Sequence, residues 1–239
     1  EIIKIKNFAK KNKVILIEDC AHALGSKYKN NYVGSFGDFA IFSFQAIKHI
    51  TTIDGGVLVI KNKSIMDRAK RMRWFGLQKG IERSKNRIRE LGYKYNMSNV
   101  SASLGIHQLK YINYFLNIYV RNGHYYNKQL NKSSIFTPVK IIENAKPTFW
   151  LYGFFTQYSD YVIRNLKKYN IESSKVHLPN HFHPIFKSSK NKRLNLEKSM
   201  IFYKNIVYIP CGWWVNKKNM DYILSKLSEI EKNILIKHK

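Results

Sequence analysis

A lysine that forms a Schiff base needs a depressed pKa, and a pyridine cofactor needs an acid beside its ring nitrogen. Asp19 and Lys48 can meet those two needs if the chain folds them to one place. Residues 14–17 form a short apolar run that ends at Glu18-Asp19, and residues 38–44 (DFAIFSF) form another, with Lys48 just past it. Both runs read as buried strands, and ligands of open α/β sheets bind beyond the C-terminal ends of the strands. Ser43, before Lys48, carries a hydroxyl that could donate to a phosphate. Singly none of these is decisive, because a strand-end Asp is commonly a turn former and most lysines lie in solvent.

The elements that must position these residues follow from the apolar pattern. Residues 2–12 read as a helix feeding the first strand, residues 30–37 as a turn-rich connection, and residues 57–60, after Gly55-Gly56, as a third strand. Gly25, Gly34, Gly37, Gly55 and Gly56 are expected to serve backbone turns. A helix is expected over 64–75 with Ser64 as its cap, and helical periodicity runs from 98 to 130 as one long helix or two joined near Asn122-Gly123. Beyond it, 149–158 and 175–178 read as strands and 160–169 and 217–236 as helices. Two domains are expected: residues 1–131, including the long connecting helix, and a smaller α+β domain over 132–239.

Composition narrows the partners. The 239 residues, 44% of them apolar, suffice for a substantial core. Lys and Arg number 42 against 15 Asp and Glu, a formal charge of +27 that raises the question of a polyanionic partner. The lysines are spread along the chain among many Asn and Ile, the mixture that AT-rich codons produce. The densest run, 187–193 (KSSKNKR), has no interleaved aromatics on which bases could stack and reads as a solvated loop. No specific nucleic-acid partner is expected. There is no apolar stretch of about 18 residues and no signal-peptide pattern, so no membrane association is expected. Cys20 and Cys211 lack metal-ligand spacing and fit a reducing, cytoplasmic setting. His177, His181 and His183 have no carboxylate close by, and no metal site is expected.

Order and spacing carry more than any single residue. Residues 18–25 (EDCAHALG), 34–38 (GSFGD), 43–48 (SFQAIK) and 54–56 (DGG) resemble the signature run of the DegT/DnrJ/EryC1/StrS sugar aminotransferases. Residues 92–98 (GYKYNMS) and 105–109 (GIHQL) resemble the family's next block, and Val176-His177, Asn180, His183-Pro184 and 209–214 (IPCGWW) its C-terminal domain. The resemblance implies an α/β chain of the fold type I pyridoxal 5′-phosphate (PLP) transferases: part of the large domain, with a mixed sheet, plus a small C-terminal α+β domain. It implies transamination of a keto sugar carried on a nucleotide diphosphate, with glutamate as amino donor. Family members that lost catalysis, or that dehydrate instead, carry His where this chain has Lys48.

Carried over residue by residue, the resemblance makes Asp19 the partner of the pyridine nitrogen and puts His22 near the cofactor's 3′-oxygen. Ser43 would bind the phosphate, and Lys48 would hold the cofactor and shuttle the proton. Lys94 and Asn96 would reach the cofactor phosphate of a neighbouring subunit, which implies a homodimer with shared active sites. Gln45, His177 and Asn180 are candidate substrate contacts, although Pro179-Asn180-His181 departs from the Arg-Asn-Asp common in relatives that share the Trp-Trp ending. Trp213 and Trp214 read as packing residues. The family's segment before the Asp motif, with a phosphate-holding Gly-Thr turn, has no counterpart in these residues. An exposed sheet edge and apolar face are therefore expected. The competing reading is a truncated, catalytically inactive member that persists as a basic binding or assembly module.

Overall fold

The computed structural model describes residues 1–186 and 196–237, so the basic run 187–193 lies outside the described residues. The chain divides into two compact units, residues 1–114 with 144–147, and residues 115–143 with 148–239. Most of the long helix α4 (Ile112–Leu130) thus belongs to the second unit, whereas the sequence reading kept it with the first.

In the first unit, α1 (Ile2–Lys11) ends on Lys10 and Lys11, whose charges complement the helix C-terminus. Lys13 follows in the left-handed region at φ +53°, which lets the Val14 amide donate to the Ala9 carbonyl at 2.9 Å and turns the chain into the sheet. The sheet has the order β1 (Ile17–Asp19), β4 (Phe39–Ser43), β5 (Gly56–Ile60). β1 and β4 are parallel with Asp19 opposite Ile41, while β4 and β5 are antiparallel with Ser43 opposite Gly56, so the sheet is mixed as expected. Glycine is required at 56, because a Cβ there would sit 2.6 Å from the Phe42 carbonyl oxygen.

Two features of this unit correct the sequence reading. The first strand begins at Ile17 rather than residue 14. The strands expected to be buried are open, with Ile17 61%, Ile41 40% and Leu58 50% exposed. The sheet has only three strands, and β1 and β5 each pair on one side, so among the described residues no layer covers these side chains. This is the exposed edge and apolar face that the sequence led us to expect.

Two small strands inside the turn-rich region, β2 (Lys27–Tyr28) and β3 (Asn31–Tyr32), form a hairpin. Its two-residue turn, Lys29-Asn30, has both φ angles positive, the geometry that matches strand twist. β7 (Ala145–Lys146) adds to β2, and the Lys146 ammonium donates to the Asn30 carbonyl Oδ1 at 2.8 Å. Helix α2 (Met66–Met72) follows a 3-10 turn capped by Asn62, not by Ser64; the Asn62 side chain accepts from the Ser64 amide at 2.9 Å. Arg68 and Arg71 of α2 clamp the Glu90 carboxylate at 2.8 and 2.7 Å.

The periodic stretch 98–130 is two helices, but the break is not at Asn122-Gly123. α3 (Asn99–Leu109), capped by Ser98, stops at Lys110, and α4 begins at Ile112. Asn122 and Gly123 are buried inside α4 because each is used in packing. Asn122 donates to the carbonyls of Cys211, Gly212 and Val215, and a Cβ on Gly123 would meet the Phe149 ring at 2.3 Å.

The second unit holds the larger core. Strands β6 (Thr137–Pro138), β8 (Tyr152–Phe155) and β9 (Ile206–Ile209) form an antiparallel sheet in the order β6-β8-β9. Helices α5 (Ser159–Lys168), α6 (Glu197–Asn205) and α7 (Lys217–Lys237) complete this α+β unit. Phe154, Leu166, Val207, Leu227 and Ile230 are fully buried, each worth roughly 1.5–3 kcal/mol of transfer free energy. Residues 175–178 make no strand; only Ser174 bridges to Tyr208. Trp213 and Trp214 lie against Phe115 and Tyr119, with ring centroids 5.9 and 6.3 Å apart. Among the described residues no helix is long and apolar enough to cross a membrane.

Candidate active site

Parallel pairing decides where the chemistry-bearing residues of the first unit meet. Asp19 is the last residue of β1 and Ser43 the last of β4, so both stand at the C-terminal edge of the parallel pair. Side chains alternate faces along a strand, and Glu18 and Asp19 therefore part company. Glu18 is buried while Asp19 is exposed. The exposed carboxylate takes one local hydrogen bond, from the Ala21 amide to Oδ1 at 3.1 Å.

Lys48 sits five residues beyond Ser43, in a loop that closes on itself. The Lys48 amide donates to the Gln45 carbonyl at 2.9 Å, and the Thr52 amide donates to the Phe44 carbonyl at 2.8 Å. Gln108 of α3 fixes the far side of this loop: its Nε2 donates to the Thr51 carbonyl at 2.6 Å and its Oε1 accepts from the Thr51 amide at 3.0 Å. Half-buried, the Lys48 ammonium is pushed below the ordinary lysine range by burial, and the negative charge of Asp19 acts in the opposite sense.

Ser43 Oγ accepts from the Gln45 amide at 3.3 Å, which leaves its hydroxyl proton to donate to an anion. Gln45 turns its side chain into its own loop, accepting from the Ile47 amide at 3.3 Å. His22 is exposed, three residues past Asp19. Lys94 bridges in extended conformation to Trp74, lies over its ring at 5.2 Å, and donates to the Asn96 carbonyl at 3.0 Å. Asn96 donates from Nδ2 to the Met97 carbonyl at 2.9 Å. His177 and Asn180 belong to the second unit, Asn180 opening a 3-10 turn through Phe182. No cluster of three metal-ligating side chains occurs among the described residues.

One residue had no role assigned from the sequence. The buried Glu18 carboxylate accepts from three backbone amides, Gly34 at 2.8 Å and Phe36 and Gly37 at 2.7 Å each. It ties the end of the 30–37 segment to β1 one residue from Asp19. The signal was present in the alternation itself, since an acid next to Asp19 in a strand must face the other way.

The pattern of an acid and a hydroxyl at one sheet edge, with a lysine in the loop beyond it, can be set beside known proteins. The model of the DegT/DnrJ/EryC1/StrS aminotransferase family matches residues 1–228. The chain belongs to that family. Its C-terminal unit and mixed sheet are those of the family's PLP-dependent transferase fold. Among curated relatives, the UDP-4-amino-4,6-dideoxy-N-acetyl-beta-L-altrosamine transaminase of Campylobacter jejuni subsp. jejuni serotype O:23/36 is 33% identical over 234 residues, covering 96% of this chain and 62% of that one. GDP-perosamine synthase of Escherichia coli O157:H7 is 33% identical over 192 residues, covering 79% of this chain and 51% of its own length. In fold, Helicobacter pylori PseC, an aminotransferase involved in the biosynthesis of pseudoaminic acid, superposes with a TM-score of 0.91 at 23% identity, over 98% of this chain and 64% of that one. The PLP form of Streptococcus pneumoniae Spr1654 gives 0.83 at 25% identity, over 95% and 60%. The chain thus spans about 62% of the length of the first relative it matches.

Proposed function

We propose that this family member is a PLP-dependent aminotransferase acting on a keto-deoxy sugar linked to a nucleotide diphosphate, with an amino acid, glutamate by expectation, as donor. The observation that carries the reading is that Asp19 and Ser43 end the parallel strands β1 and β4 at one edge, with Lys48 in the loop that follows β4. Relatives whose names specify UDP- or GDP-linked amino sugars support the substrate class.

The residues fit the group. When bound, PLP supplies an electron sink that lets a C–H bond beside the transferred nitrogen ionise. Asp19, with its exposed carboxylate, would keep a pyridine nitrogen protonated, and His22 would lie by the ring's oxygen. Ser43 has a hydroxyl proton to give to the phosphate. Lys48, already poised toward its neutral form by burial, would hold the cofactor covalently and then carry the proton between two carbons. General acid–base transfer of this kind contributes about 10²–10⁴-fold in rate. Lys94 and Asn96 are proposed to serve a neighbouring copy's cofactor phosphate in a homodimer, which makes dimerisation part of the activity. Gln45 remains a candidate substrate contact; the roles expected for His177 and Asn180 form no part of this proposal.

The test is direct. The protein incubated with PLP should develop a visible absorption band and transfer an amino group from glutamate to a UDP-linked 4-keto sugar. Lys48→Ala should abolish the band and lower turnover by about 10²-fold or more. Band and turnover both surviving in Lys48→Ala would overturn the assignment.

A further inference from the structure

The loop that carries Lys48 leaves β4 after Ser43 and rejoins the sheet at Gly56, the first residue of β5. Phe44 ties its two ends. The Phe44 amide donates to the Gly55 carbonyl at 2.9 Å, and the Phe44 carbonyl accepts from the Thr52 amide at 2.8 Å and from Thr51 Oγ1 at 3.3 Å. Within the loop, His49 and Ile50 are buried directly after the half-buried Lys48. Ile53 takes a left-handed backbone at φ +72°, strained for a β-branched residue and kept only where the surroundings over-determine it.

Helix α3 grips this loop from outside. Gly105 and Gln108, three residues apart, lie on one face of the helix. A Cβ on the buried Gly105 would stand 2.9 Å from Thr52 Cγ2, so helix and loop are in close approach. Gln108 then meets Thr51 at two points, Nε2 donating to its carbonyl at 2.6 Å and Oε1 accepting from its amide at 3.0 Å. Nε2 also donates to the Leu104 carbonyl of its own helix at 3.3 Å, so both ends of the side-chain amide are committed. The helix itself does not require glutamine at 108, since Leu, Met, Lys or Glu would suit it as well. An amide, however, offers donor and acceptor side by side, the match for a backbone peptide. The peptide it holds is 57 positions away in the chain and three residues past Lys48.

We infer that Gln108 is a positioning residue for Lys48: by holding Thr51 against α3, it fixes where the Lys48 side chain leaves the loop and keeps that side chain half-buried. Burial is the larger influence on the Lys48 ammonium and lowers its pKa, with Asp19 at the end of β1 as the charge that acts against it. A loop released from α3 would let the ammonium into water and lose both influences. The catalytic meaning of this placement rests on the transaminase reading, whereas the placement itself can be measured without cofactor.

The experiment labels the full chain, without PLP, with trace acetic anhydride across a pH series and follows Lys48 by mass spectrometry. Gln108→Met keeps length and helix propensity but loses the donor and the acceptor, and should move the Lys48 midpoint to higher pH, toward that of an exposed lysine. Gln108→Asn, drawn back by one methylene, should move it the same way and serves if the Met variant does not fold. Ser98→Ala removes the cap of the same helix, where Ser98 Oγ accepts from the Ser101 amide at 3.1 Å, and loosens α3 without touching the Gln108 contacts. It should leave the midpoint in place. With PLP and substrates, Gln108→Met should lower kcat by up to about 10²-fold with KM little changed, as a displaced reacting group does. A parent chain that develops no absorption band dependent on Lys48 counts against the transaminase reading, and the labelling midpoints still decide the role of Gln108. The inference is overturned if the midpoint stays put or falls in the Gln108 variants, if Ser98→Ala raises it as far as they do, or if an active Gln108→Met enzyme keeps the parent kcat.

Discussion

The carboxylate of Asp19 pulls against burial on the ammonium of Lys48, although β2, β3 and β4 separate them in the chain. Burial lowers the Lys48 pKa and the Asp19 charge raises it, so the lysine is held between two opposed influences. Removing Asp19's charge must let burial act alone. In Asp19→Asn the midpoint for Lys48 reactivity should move to lower pH, with more neutral amine at any given pH below it. Borohydride trapping of PLP on Lys48, followed by mass spectrometry across a pH series, measures this without requiring turnover. A midpoint that stays put or rises would contradict the coupling.

Glu18 should matter to stability rather than to the reacting atoms. Its buried carboxylate accepts from the amides of Gly34, Phe36 and Gly37, and Glu18→Ala would leave three donors short of a partner. A buried donor left unsatisfied costs about 1–3 kcal/mol. Chemical denaturation should show a loss of at least about 2 kcal/mol. Glu18→Gln should lose less, because its amide oxygen still accepts.

Cys20 should be slow to react. Burial, then the charges of Glu18 and Asp19, push its thiol up to about 11, and burial raises Cys211 as well. Thiolate is the reactive form, so at pH 7.5 iodoacetamide should label both far more slowly than a free cysteine. Asp19→Asn should accelerate labelling of Cys20 and leave Cys211 unchanged. Mass spectrometry of timed aliquots distinguishes the two sites.

Gly123→Ala should destabilise the second unit. A methyl group there would enter the Phe149 ring at 2.3 Å, and overpacking of this kind costs about 1–3 kcal/mol. Helix propensity acts in the opposite direction, since Ala in a helix is favoured over Gly by about 1 kcal/mol. A raised melting temperature would show that the ring simply moves aside.

How far the sequence could be read differs from element to element. The strand ending near Ser43 and the terminal helix α7 were legible because each has a long or uniform apolar pattern, whereas β1 was legible only through the apolar run that leads into it. The strands β2, β3 and β7 are two residues each, too short for any period to register. The break at Lys110-Tyr111 was missed because apolar periodicity continues across it, while Asn122-Gly123 imitates a turn signal and is packing surface instead. Cap assignment failed at Ser64 because Asn62 and Ser64 both suit a helix start, and only hydrogen-bond geometry separates them.

The sequence by itself determined which residues could perform the chemistry: an acid, a hydroxyl and a lysine in fixed order, with turn residues between them and a family pattern around them. It could not determine that Asp19 faces outward, or that Glu18 is buried among the backbone amides of Gly34, Phe36 and Gly37. Those facts depend on parallel register and on the approach of segments distant in sequence, which are set by packing and backbone pairing. Local composition specifies which groups are available; the tertiary structure decides which of them feel one another's charge.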